Sequence, residues 1–148
     1  MSEGTDKPKP APPGQQGEDS YFEKGALKSK YVSRGTMEPM AQGMASDGLN
    51  MTQLNRFFRH CRQIQFRLKR GESTWDQESP EVELLSAHAA DAAGKEQKIP
   101  ESFRRFIDGN VSRVRTEAVF VEGFMKHFEA LMGFASLYAK KGQRGRTQ

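Results

Sequence analysis

The residues of this chain that are typed and spaced for chemistry are cations. Between Leu49 and Arg70 there are six Lys or Arg and no Asp or Glu. Guanidinium forks match phosphate oxygens in pairs, and a lysine ammonium meets them as a point charge. An ordinary solvated helix face mixes signs so that residues four apart attract. A row of one sign repels itself, and a bound polyanion relieves that repulsion. The pattern therefore points to phosphate binding by Arg56, Arg59, Arg67 and Arg70, with Lys69 and Arg62 at the flanks. The plainer reading is a solvated face, and the complete absence of acids weighs against it.

Groups suited to catalysis are sparse. His60, His88 and His127 are far apart, and none has metal-ligand spacing. His60 and Cys61 are neighbours, so on a helix they point in different directions and form no dyad. A histidine-based ribonuclease built on His60 would need a second acid–base group, and none stands near it in sequence. Paired carboxylates occur only where solvation and helix capping explain them, and no glycine-rich phosphate loop follows a strand. The expectation is a non-enzyme with no catalytic residues, no metal and no cofactor.

The cations need an element to hold them on one face. Leu54, Phe57, Phe58, Cys61, Ile64 and Leu68 carry the i, i+3, i+4 spacing of an amphipathic helix. Asn50 or Thr52 can cap its start, and Gly71 can stop it. Arg56, Arg59, His60, Gln63, Arg67 and Arg70 then fall opposite the apolar stripe. Cys61 lies on that stripe and reads as a packing residue.

The rest of the chain frames this helix. The formal net charge is +4. Residues 1–48 carry six bases and seven acids, residues 71–101 two and eight, and residues 102–148 nine and four. Such alternation suits self-association or docking to a larger assembly as well as anion binding. Pro8, Pro10, Pro12 and Pro13, with several glycines, mark a disordered arm. The arm is drawn as residues 1–48: Tyr21 to Val32 holds a short helix at most, and Gly35 to Gly48 reads as a loop in which Met37, Met40 and Met44 either form an adaptable interface or loosely cover the core. Gly71 to Glu78 reads as a polar connector containing Trp75, a candidate base-stacking residue that more commonly covers a core edge.

Ser79-Pro80-Glu81 has the form of a helix start, and Gly94 of its end. Pro100 opens a further helix whose outer side bears Arg104, Arg105, Arg113 and Arg115. Glu117 to Lys141 reads as the longest apolar helix, with Phe120, Phe124, Phe128, Leu131, Ala135 and Tyr138 along one stripe. Its width predicts burial on more than one side. Residues 143–148 form a basic tail. No useful stretch alternates with period two, so no sheet is expected. The predicted fold is all-α: a compact bundle of four to five helices over residues 49–142. One cysteine, no membrane-length apolar run and no hydrophobic signal core suggest a cytoplasmic protein.

Three segments, in order, carry a family resemblance. Leu49-x-Met51-Thr52-Gln53-Leu54-x-Arg56-Phe57 resembles the start of the first core helix in the small subunit of type III-A CRISPR effector complexes, the Csm small-subunit family. Asp91-Ala92-Ala93-Gly94-Lys95 resembles the family's aromatic-x-Ala-Gly-Arg segment. Phe128-Glu129-Ala130-Leu131-Met132-Gly133-Phe134 resembles its closing Met-Glu-Ala-Leu-Val-Ala-Tyr helix. The chain departs from the pattern at Asp91, Lys95, Phe134 and Ser136.

The resemblance implies a helical bundle without an active site, present in several copies along an antiviral ribonucleoprotein. Those copies flank the duplex of guide RNA and target RNA. It implies contacts with the large polymerase-like subunit and with the backbone subunits. Lys95 joins the candidate RNA contacts. Two other functions fit the residues: a helical dimeric DNA-binding regulator, and a pure protein scaffold.

Overall fold

In the computed structural model, residues 20–94 and 98–140 are described. A β-ribbon, Phe22–Glu23 (β1) with Ala26–Leu27 (β2), leads through a 3-10 turn at Ser29–Tyr31 into the helices. These are α1 (Arg34–Ser46), α2 (Met51–Lys69), α3 (Trp75–Ala93), α4 (Glu101–Val111), α5 (Glu117–Val119) and α6 (Met125–Ala135). A five-residue π turn, Phe120–Phe124, joins α5 to α6 without a break in helical dihedrals. The all-α bundle expected from the sequence is what forms.

The helix of residues 117–135 is the centre. Phe120, Phe124, Phe128 and Leu131 are wholly buried. The ring of Phe128 meets Phe58 of α2 at 5.1 Å, Phe103 and Phe106 of α4 at 6.2 and 5.5 Å, and Phe124 of its own helix at 5.7 Å. Edge-on and tilted pairs at these separations are favourable beyond the area they bury. The helix ends at Ala135, earlier than the sequence suggests, and Leu137 and Tyr138 stand at the surface. Gly142 and the basic tail lie outside the described residues.

The first helix is a correction to the sequence reading. Residues 34–46 are helical despite Gly35, Gly43 and Pro39. Met37, Ala41 and Met44 repeat at i, i+4 and i+7, and all three are buried against α6 and its neighbours. Tertiary burial outweighs the hydrogen bond that Pro39 removes. The core thus takes in residues well before 49.

The ribbon is a second correction. Lys24 and Gly25 both have positive φ, +54° and +80°. This is the backbone of a type I′ hairpin turn, which glycine at the second position favours. It pairs Phe22 with Leu27 and Glu23 with Ala26 where a short helix and no sheet were expected.

The ribbon is anchored by Tyr21. Its ring packs so closely on the π turn that a Cβ at Gly123 would come within 2.7 Å of it. Its hydroxyl donates to Asn110 Oδ1. Asn110 in turn donates to the Phe106 carbonyl at 2.7 Å.

His127 ties the same segment to α6. Its Nδ1 lies 2.8 Å from the Tyr31 carbonyl oxygen. That oxygen can only accept, so Nδ1 carries the proton. Burial, with Arg113 nearby, lowers the imidazole pKa from 6.5 to about 4, against the opposing pull of the carbonyl bond. A histidine with a depressed folded pKa stays neutral in the fold while the unfolded chain takes up a proton. Its contribution is therefore complete above pH 6.5 and is lost as pH falls towards about 4. The shift corresponds to on the order of 3 kcal/mol. Urea unfolding between pH 7 and 4 should show this loss, and His127→Gln should flatten it. An unchanged pH profile in the variant would show that His127 titrates normally.

Candidate nucleic-acid interface

Helix α2 is built as its sequence suggests. Asn50 Oδ1 accepts from the Gln53 amide at 2.9 Å, and the Asn50 amide donates to Gln53 Oε1 at 3.1 Å, a complete capping box. At the other end Gly71 takes φ +73°. Its amide bonds to Leu68 O, and the Glu72 amide bonds to Arg67 O, at 3.1 and 2.9 Å. This Schellman closure fixes where the helix stops. Leu54, Phe57, Cys61, Ile64 and Leu68 face inward. Cys61 is so buried that its thiol is pushed up to about 12, which keeps it protonated and unreactive.

The polar face divides into three strips. Arg59 and Arg70 are exposed on the outermost strip, with Lys69 and Arg62 exposed beside it. Arg56 is exposed at the edge facing α3. Arg56, Arg59 and Lys69 have no ion-pair partner among the described residues. Arg70 stands 3.7 Å from Glu72, with both groups largely in water, a pair of little energetic weight. Arg62 lies over the rings of Phe58 and Phe66 at 5.5 and 6.0 Å and donates to Gln65.

Arg67 behaves differently from its sequence neighbours. Its Nε and Nη2 donate to the two carboxylate oxygens of Glu78, at 2.7 and 3.0 Å. Ser73 Oγ adds a third bond to that carboxylate at 2.6 Å. Glu78 is only 4% exposed. The Arg67 hydrogen bonds hold its carboxyl below the usual glutamate range. The expectation that the α2 arginines lack acidic neighbours thus fails at this position. Sequence distance hid the pair, because α3 folds back antiparallel to α2 and brings Glu78 onto Arg67.

That fold-back follows from an earlier helix start. The cap of α3 is Thr74, which closes a capping box with Gln77. Ser79-Pro80 lies inside the helix, and Trp75 is its first residue rather than part of a connector. Trp75 is half-buried, with its ring 5.8 Å from Phe120. It covers a core edge.

Further along the seam the rings of His60 and His88 meet edge to face at 6.0 Å. With Arg56, Phe57, Leu85, Asp91, Ala92 and Lys98 they line a cleft of about 350 Å³. His60 Nε2 is buried and has no hydrogen-bond partner among the described residues, 4.0 Å from Glu81 Oε1. Desolvation, then the neighbouring His88, lowers its pKa, which favours a neutral ring. Among the described residues no three His, Cys, Asp or Glu are grouped to hold a metal ion. Lys95 lies outside the described residues.

The second basic surface is engaged within the protein at Arg104 and Arg113, whereas Arg105 is as weakly paired as Arg70 and Arg115 is exposed. Arg104 bonds to Glu101 and Asp108, and Arg105 lies 3.6 Å from Glu101. The guanidinium of Arg113 lies over the rings of Tyr21 and Tyr31 at 5.5 and 5.6 Å. The unpaired cations of α2 therefore form the more available positive face.

A family model described as Csm2 Type III-A matches residues 32–141. The match takes in α1, in agreement with its place in the core. No curated protein and no solved structure matches the chain. No described helix is long and apolar enough to cross a membrane.

The two kinds of arginine on α2 should separate in a stability measurement. Arg67→Ala strands the buried Glu78 carboxylate and should cost about 1–3 kcal/mol. Arg59→Ala should change stability by less than about 0.5 kcal/mol, as exposed sites do. Equal effects in urea titrations would contradict the division of the face.

Proposed function

Because the chain belongs to the Csm2 family, and so is a subunit of a type III-A CRISPR Csm complex, we infer that it serves that complex as a non-catalytic RNA-binding small subunit. In this reading the outer face of α2 lies along the phosphate backbone of the guide and target RNA. Arg59, Arg70 and Arg56 make the main contacts, and Lys69 and Arg62 support them. Arg67 is a positioning residue, because its guanidinium is engaged by Glu78. The remaining surface bridges neighbouring subunits, with self-association among copies, in the cytoplasm.

One observation carries the reading. Arg56, Arg59 and Lys69 are exposed with no ion-pair partner among the described residues, on a helix that contains no acid. Contacts to phosphate position a strand without reading its sequence. That suits a complex whose specificity comes from guide pairing.

A DNA-binding regulator is less well supported. A helix-turn-helix needs two helices crossing steeply, whereas Arg67–Glu78, His60–Glu81 and His60–His88 pair α2 and α3 along their lengths as a hairpin. A pure scaffold remains the second reading, since the α2 cations could meet acidic protein surfaces instead.

Salt dependence separates RNA from protein as the partner of α2. Each phosphate neutralised on a single strand contributes about 0.7 to the slope of log affinity against log salt. Arg59→Ala with Arg70→Ala should weaken RNA binding by the assembled complex and flatten that slope by roughly 1–1.5. The loss should be alike for unrelated guide–target pairs. A double variant that folds and assembles with unchanged RNA affinity and slope would overturn the reading in favour of the scaffold.

A further inference from the structure

Few large apolar side chains are exposed on the described surface. They are Phe66, Leu84, Leu137 and Tyr138. A lone exposed phenyl is ordinary on a soluble protein. Phe66 is distinguished by its surroundings. At about 100° per residue it falls on the outermost strip of α2, between the directions of Arg59 and Arg62. Arg62 stands four residues before it and Arg70 four after, about 6 Å along the axis in each direction.

Phe66 is 56% exposed, the most exposed aromatic among the described residues. The Arg62 guanidinium carbon stands 6.0 Å from the ring centroid. Phe66 lies outside the hydrophobic core of the described residues, so the apolar stripe of α2 does not need this ring. Arg59 and Arg62 have no ion-pair partner among the described residues, and Arg70 has only the exposed Glu72 at 3.7 Å. An aromatic plane set among such cations is the arrangement by which proteins hold single-stranded nucleic acid without sequence preference. The cations follow the backbone and the ring takes a base.

We propose that Phe66 is a base-stacking platform. One unpaired base of single-stranded RNA lies on the phenyl face while Arg59, Arg62 and Arg70 hold the flanking phosphates. The proposal rests on the RNA-binding reading above and adds to it a contact that is not electrostatic. Every base has a π-face, so the platform tolerates any sequence. It requires a base freed from pairing, so the full duplex is the weaker ligand at this position.

The test uses the full-length chain with three probes: single-stranded oligoadenylate, an RNA duplex of equal length, and inorganic polyphosphate, a polyanion without bases. The wild-type chain should prefer oligoadenylate to the duplex. Phe66→Ala should weaken oligoadenylate binding by about 5- to 100-fold, leave the salt slope unchanged and leave polyphosphate binding unchanged. Phe66→Trp should restore the oligoadenylate affinity. Three results would overturn the platform: no change in Phe66→Ala, an equal loss on polyphosphate, or a change confined to self-association in sedimentation, which would make the ring a contact between copies. If Arg59→Ala with Arg70→Ala weakens RNA binding and Phe66→Ala does not, the platform alone fails. If RNA binding by the isolated chain and by the assembled complex is unchanged by both sets of substitutions, the RNA-binding reading fails with it.

Discussion

The structure depends on covering Phe128. Its ring is wholly buried and is enclosed by rings from α2, α4 and its own helix. A helix apolar on several sides is stable only when each side is covered. The helix of residues 117–135 therefore dictates where its neighbours lie. Helix α2 meets it with Phe58, and Phe57 reaches Phe103 at 5.3 Å. With the stripe of α2 held inward in this way, the opposite strip has no choice but to face solvent. The basic face is a consequence of the core, and its positions cannot rotate away without exposing Leu54, Ile64 and Leu68.

The cations sort by whether the fold uses them. Arg67, Arg104 and Arg113 are engaged by carboxylates or aromatic rings that pack or orient elements. Arg56, Arg59 and Lys69 contribute nothing comparable to the fold among the described residues. The Arg67–Glu78 fork ties the end of α2 to the start of α3 and so fixes the backbone from which the free strip projects. A preorganised row of donors loses less side-chain and backbone entropy on binding than a mobile one. The same scaffold thus accounts for stability on one side of α2 and for the proposed phosphate contacts on the other.

Helix α2 was legible because its pattern is strong and its caps are standard: Asn50, Gln53 and Gly71 each do locally what their types favour. The central helix was legible for the same reason, except that its final turns depend on contacts the sequence does not display. Elsewhere the signal was overridden. Pro39 and Pro80 read as breakers or starts, yet buried Met37, Met44, Val82 and Leu85 keep both helices continuous. Tyr21 looked like part of an arm, because its partner Gly123 is remote in sequence. Within the candidate site, Arg56, Arg59, Arg62, Lys69 and Arg70 lie on the exposed side as expected. The acidic partner of Arg67 was not visible, because Glu78 becomes its neighbour only through the antiparallel fold-back. Phe66 is absent from the sequence reading, because a single aromatic off the apolar stripe carries no pattern of its own.

The central claim is that the exposed strip of α2 meets RNA. Amide and side-chain NMR of the isotopically labelled chain, titrated with single-stranded RNA at low salt, tests it residue by residue. The account predicts shifts that cluster on Arg56, Arg59, Phe66 and Arg70, with Arg67 and the α4 surface around Arg104 moving little. Shifts centred on α4 or the ribbon, with α2 unmoved, would contradict it.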